Sequence, residues 1–174
     1  MGKITFVLGG ARSGKSRFAV SLAKGRDKSK GVAFVATCSA CDKEMKERIA
    51  LHRKTRPAHW RTFEKPKNIA MLLTKAGSDF DVIIIDCLTL LISDLILRGF
   101  KERRIEHDIT SMLRALAKIR AKSIVVSNEV GLGIVPNNKM ARDFRDIAGR
   151  MNQIAAAAAD EAYFLVSGLA RRIK

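Results

Sequence analysis

Residues 9 to 16 read GGARSGKS and match the spacing G-x-x-x-x-G-K-[ST]. Glycines at both ends let successive backbone N–H groups turn inward, a lysine supplies counter-charge, and a hydroxyl stands beside it. That set suits the oxygens of a nucleotide's phosphates, above all where a helix amino terminus follows. Lys15 is expected to reach the β and γ phosphates, and Ser16 to ligate Mg2+. A mere glycine turn would leave Lys15 unexplained.

A second group follows within forty residues. His52 stands among Arg48, Arg53, Arg56 and Arg61, with Arg12 of the glycine-rich loop as a further neighbour. Positive charge disfavours imidazolium and so keeps the ring neutral and able to attack an electrophile. A histidine on an apolar helical face can equally be a core residue, and arginines near a helix end can simply be solvated. Both readings stand on the residues alone.

Asp86 closes the apolar run DVIIID, at the end of a strand where parallel sheets form their ligand crevice. There it can hold Mg2+ directly or through water; capping the next helix is the alternative. Asn128 and Glu129 end another apolar run and precede a glycine-rich turn closed by Pro136. A place near the transferred phosphate and ordinary turn chemistry both explain them.

Those residues need elements to hold them. Residues 3–8 read as a strand, about 15–24 as an amphipathic helix, and 32–37 as a second strand. A helical pattern from about Asp42 must stop before Pro57, and it sets Met45, Ile49 and His52 on one stripe. Strands follow at 81–86, 123–128 and 161–167, with helices at 88–98, 102–121 and about 138–159, and LARRIK can add an edge strand. Strands alternating with helices predict an α/β fold of the P-loop NTPase kind. Its mostly parallel sheet carries helices on both faces, a RecA-like three-layer sandwich. No linker or repeat divides residues 1–174, so one domain is expected.

The bulk composition narrows the partners. Lysine and arginine total 33 against 17 acids, a net charge of +16 that favours anionic ligands. The cations are scattered, and aromatics make up only 6%, poor material for stacking nucleic-acid bases. No apolar run approaches the ~18 residues that span a bilayer, and no signal peptide opens the chain, so a cytoplasmic protein is expected. Cys38 and Cys41 have C-x-x-C spacing, but no second pair completes a zinc site. Arg142, Arg145, Asp146 and Arg150 share a helix, where solvated ion pairs or a subunit contact would account for them.

The segments GGARSGKSR, ERIALHRKTRPAHWRTFE, IIIDCLTLLISDLI and SNEVGLGIVPNNKMARDFRDIAGRMNQIAAAAADEAYFLVSG carry a closer likeness. From residue 3 to its end the chain resembles the bifunctional adenosylcobinamide kinase / adenosylcobinamide-phosphate guanylyltransferases of cobalamin synthesis. The glycine-rich loop alone is generic; H-R-x-x-R-P-x-x-W and N-E-V-G-x-G-I-V-P are far more specific.

The resemblance implies phosphorylation of the aminopropanol hydroxyl of adenosylcobinamide, with ATP or GTP, and then transfer of GMP from GTP onto that phosphate. It implies a guanylyl-histidine at the position of His52. Some relatives have two adjacent histidines there, where this chain has Leu51 before His52. Nucleotide contacts carry over to Gly9, Gly10, Ala11, Arg12 and Ser13, to Gly14, Lys15 and Ser16, and to Ala36, Thr37 and Cys38. They extend to Arg53, Lys54, Thr55 and Arg56, and to Glu64 and Asp86. Arg53 and Arg56 can clamp phosphate oxygens bidentately. Glu64 can accept from guanine N1–H and N2–H2, or be an exposed acid at a strand end. The resemblance further implies a homo-oligomer, a trimer. Two rival readings are an ordinary small-molecule kinase with a structural His52, and a nucleic-acid-stimulated ATPase with a recombinase-like core.

Overall fold

Strands form here where short apolar runs can be covered on both faces, the pattern of a parallel sheet. The computed structural model describes residues 2–24, 30–37, 47, 50 and 56–174. Ile4–Gly9 (β1), Val32–Ala36 (β2), Val82–Asp86 (β4) and Lys122–Asn128 (β5) are nearly buried throughout. Arg61–Glu64 (β3), Glu161–Val166 (β6) and Leu169–Arg172 (β7) complete a seven-stranded sheet of order β3-β2-β4-β5-β1-β6-β7. All neighbours are parallel except β6 and β7, which pair antiparallel.

Helices cover both faces. Lys15–Lys24 (α1) packs Ala19, Val20 and Ala23 against Val7, Phe34, Ile84 and Val126, with Trp60 alongside. Ile69–Ala76 (α2), Leu88–Leu97 (α3), Glu102–Lys118 (α4) and Lys139–Ala158 (α5) cover the opposite face. In α4 the buried residues are Ile105, Ile109, Met112, Leu113 and Leu116, the three-and-four spacing of a single stripe. Each such side chain contributes about 1.5–3 kcal/mol on burial. Asn68 and Asn138 cap α2 and α5 by accepting the N–H groups of Met71 and Ala141, each at 2.8 Å.

The expected strands and helices are present with ends shifted by a few residues at most, and the tail does form an edge strand. The helix expected from about Asp42 falls mainly outside the described residues; Glu47 and Ala50, which are described, are helical. α2 carries no expectation from the sequence, and β3 enters it only as the strand whose end Glu64 would occupy. β3 is exposed at three of its four positions, so it lacks apolar alternation and is held by its pairing with β2. α2 is only 8 residues long, too short to stand out by periodicity.

Candidate active site

β1 ends at Gly9 and α1 begins at Lys15, so the chain reverses between them within five residues. Gly14 takes φ +94°, a conformation open to glycine without the penalty that a Cβ brings, and Arg12 takes φ +55°. The Ser13 N–H donates to the Gly10 carbonyl at 3.3 Å, and Phe18 N–H to the Gly14 carbonyl at 2.9 Å, starting the helix. Lys15 is buried, its ammonium donating to the Gly10 carbonyl at 2.5 Å and lying 3.4 Å from Ser13 Oγ. Burial pushes the Lys15 pKa below its ordinary value, and the nearby Cys87 and Asp86 partly offset that. A cation held in a low-dielectric cradle at a helix amino terminus is the arrangement that anionic oxygens favour.

Strand register brings distant residues to the same edge. Ala36 pairs with Glu64 on one side and Asp86 on the other, and Asp86 pairs with Val126, which pairs with Val7. Two residues further along, Asn128 pairs with Gly9. Phe34, Ile84, Val126 and Val7 all face α1, and side chains alternate along a strand. Glu64, Ala36, Asp86, Asn128 and Gly9 therefore share the α1 face at the carboxyl ends of parallel strands, where α/β sheets open a ligand crevice.

Thr37 fixes that crevice. Its N–H donates to the Asp86 carbonyl at 3.1 Å, its hydroxyl donates to the Cys87 carbonyl at 2.6 Å, and its Oγ1 accepts the Cys87 N–H at 2.8 Å. The Asp86–Cys87 peptide is cis. The ends of β2 and β4 are thus clasped side by side, and half-buried Asp86 projects from the clasp. Asp86 and the Ser16 hydroxyl offer hard oxygen donors and no soft ones, the donor set of Mg2+ bound largely by substrate phosphates.

Arg56 lies with its guanidinium 3.6 Å from the centroid of the Phe34 ring, on the α1 face below Ala36. Glu64 is exposed at the end of β3. Arg61 is not brought to join them: its guanidinium lies 5.0 Å from the Phe63 ring, and Phe63 packs on the opposite face. Cys38, Arg48, His52, Arg53, Lys54 and Thr55 lie outside the described residues. One contact had no signal in the sequence: Gly168, in the turn between β6 and β7, donates its N–H to the Ser13 carbonyl at 3.0 Å and fastens the phosphate loop.

Residues 5–173 match the model of a family described as cobinamide kinase / cobinamide phosphate guanyltransferase. The chain is 42% identical over 180 residues to the bifunctional adenosylcobalamin biosynthesis protein CobU of Salmonella typhimurium, covering 97% of this chain and 98% of that protein. It is 41% identical to the CobU of Escherichia coli, with the same coverage. With the bifunctional adenosylcobalamin biosynthesis protein CobP of Pseudomonas aeruginosa it shares 40% over 168 residues, 97% of this chain and 95% of that one. A phosphate loop on a mostly parallel sheet, matched by the family over nearly the whole length, makes this chain a member of the cobinamide kinase / cobinamide phosphate guanyltransferase family.

Proposed function

We propose that this enzyme phosphorylates adenosylcobinamide with ATP or GTP and then transfers GMP from GTP to the product, with one domain spanning residues 1–174 serving both steps and His52 carrying the guanylyl group. The observation that supports it most is the buried Lys15 cradled by Gly10 and Ser13 at the start of α1, with Asp86 on the same sheet face. In the first step the aminopropanol hydroxyl of the corrinoid attacks the γ-phosphorus; the bond to the bridging oxygen breaks, the nucleoside diphosphate leaves with its electron pair, and the hydroxyl proton passes to solvent. Lys15, the inward N–H groups from Gly9 to Ser16 and the amino end of α1 hold the phosphates and offset the charge that develops there. Ser16 and Asp86 would hold Mg2+, whose chemistry is neutralisation of phosphate charge.

In the second step an imidazole nitrogen of His52 attacks the α-phosphorus of GTP, and pyrophosphate leaves with the electron pair of the broken P–O bond. A phosphate oxygen of adenosylcobinamide phosphate then displaces the histidine, giving adenosylcobinamide-GDP and restoring the ring. Arg53 and Arg56 clamp phosphate oxygens, Ala36, Thr37, Cys38, Lys54 and Thr55 line the nucleotide, and Glu64 selects guanine through N1–H and N2–H2. The exposed apolar residues Leu132, Ile134 and Val135 between β5 and α5, with Met140 in the first turn of α5, support a subunit contact, and we infer a homo-trimer. Dependence on ATP and GTP supports a cytoplasmic place, and no helix among the described residues is long and apolar enough to cross a membrane. The sparse aromatics support small-molecule partners and no nucleic acid.

Incubation with α-labelled GTP tests the covalent step. An acid-labile, base-stable adduct that vanishes in His52→Ala is expected; an undiminished adduct in that variant refutes the assignment to His52.

A further inference from the structure

The end of β5 is held by a closed hydrogen-bond ring that neither reaction has yet used. β4 stops at Asp86, opposite Val126, so Asn128 has no strand beside it on that side, while Glu129 N–H bonds the Gly9 carbonyl on the other. Side chains from two helices replace the missing strand. Asn128 N–H donates to Thr89 Oγ1 at 2.6 Å, and Asn152 Nδ2 of α5 donates to the Asn128 carbonyl at 3.1 Å. Ser127 Oγ donates to Asn152 Oδ1 at 2.6 Å. A hydroxyl has one proton, so the 2.9 Å contact between Thr89 and Ser127 must run from the Thr89 hydroxyl.

Each link has one direction, and the ring begins and ends on the main chain of Asn128. Thr89, Ser127 and Asn152 are 3%, 0% and 5% exposed, so water does not compete for these bonds. The side chain of Asn128 is treated differently. It is half-buried, sits on the α1 face directly opposite Gly9, and its amide makes no hydrogen bond to any described residue. A main chain locked on both sides and an uncommitted amide beside the phosphate loop form a pre-set donor.

We propose that Asn128 is a further catalytic residue of the phosphorylation step, its Nδ2 donating to an oxygen of the nucleotide's terminal phosphate, and that Thr89, Ser127 and Asn152 are positioning residues that aim it. This rests on the reading that the phosphate loop holds the donor nucleotide. A neutral donor there strengthens as charge shifts during transfer and adds little to binding of the ground state.

Single-turnover transfer from γ-labelled ATP to adenosylcobinamide, with ATP affinity and melting temperature measured on the same full-length variants, tests it. Asn128→Ala is expected to slow transfer about 100-fold with ATP affinity within about threefold of wild type, and Asn128→Asp, whose carboxylate repels the terminal phosphate, to slow transfer at least as much and to weaken ATP binding as well. Thr89→Val is expected to slow it about tenfold, and Thr89→Ser, which keeps the hydroxyl, to recover most of that rate. Wild-type transfer rates in Asn128→Ala, or a Thr89→Val variant that melts earlier yet transfers at the wild-type rate, overturn the proposal. Absence of ATP binding by the wild-type protein would instead sink the phosphate-loop reading, so the two failures are distinct.

Discussion

A Cβ added at Gly9 would stand 2.5 Å from the backbone carbonyl oxygen of Leu165 and 2.8 Å from Ser13 Oγ, so β1 meets β6 at the first loop residue with no room for a side chain. The obstacle is main chain of a paired strand and cannot swing away. Gly9→Ala must therefore separate β1 from β6 or push the loop out of register. The expected outcome is a loss of about 1–3 kcal/mol of stability and at least about tenfold weaker ATP binding. Denaturant melts and nucleotide titration check it; a variant with wild-type affinity would show that the loop tolerates the displacement.

Lys15 sets a pH dependence whose sign is fixed. Its folded pKa lies below 10.5 because burial disfavours the ammonium, whereas a bound polyphosphate favours it. Between the two values, binding takes up a proton, so affinity falls as pH rises, by at most about tenfold per unit. The unliganded fold gains stability across the window between its lowered value and 10.5, because the unfolded chain keeps that proton longer. Calorimetric titrations in alkaline buffers of different ionisation enthalpy should show the uptake in wild type and lose it in Lys15→Met. Equal uptake by both proteins would assign it elsewhere.

Lys174 closes the end of α5, its ammonium donating to the carbonyls of Ala156, Ala157 and Ala159 at 3.0, 3.1 and 2.6 Å. These are carbonyls that a helix end leaves unsatisfied, and the dipole there favours a cation. Because the site is exposed, Lys174→Ala is expected to cost only about 0.5–1 kcal/mol, a melting shift of ~1–4 °C. Turnover should match wild type, since α5 ends beside Ile4 at the start of β1, the opposite end of that strand from the phosphate loop, where Asp160 N–H bonds the Ile4 carbonyl at 2.8 Å. Loss of activity without loss of stability would contradict a purely structural role.

The sequence by itself determined what depends on neighbours along the chain. Glycine spacing before Lys15, apolar runs ended by Asp86 and Asn128, and helical stripes between them dictate a phosphate loop on an α/β fold, because backbone freedom and side-chain period are local properties. Asn152 left a trace of the same kind: it falls among Ala148, Met151 and Ala155 on the buried stripe of α5, a polar residue where an apolar one is expected. Tertiary structure alone decided the strand order, the recruitment of β3 through Ala33 and Ala36, and the meeting of Thr89, Ser127 and Asn152 around one peptide. Those features join residues far apart in the chain: Thr5 of β1 pairs with Glu161 of β6, and Thr89 meets Asn152 through Ser127, across separations of 38 and 25. Pairings at that range are chosen by burial and by the need to satisfy a buried N–H or C=O, and no local propensity encodes either.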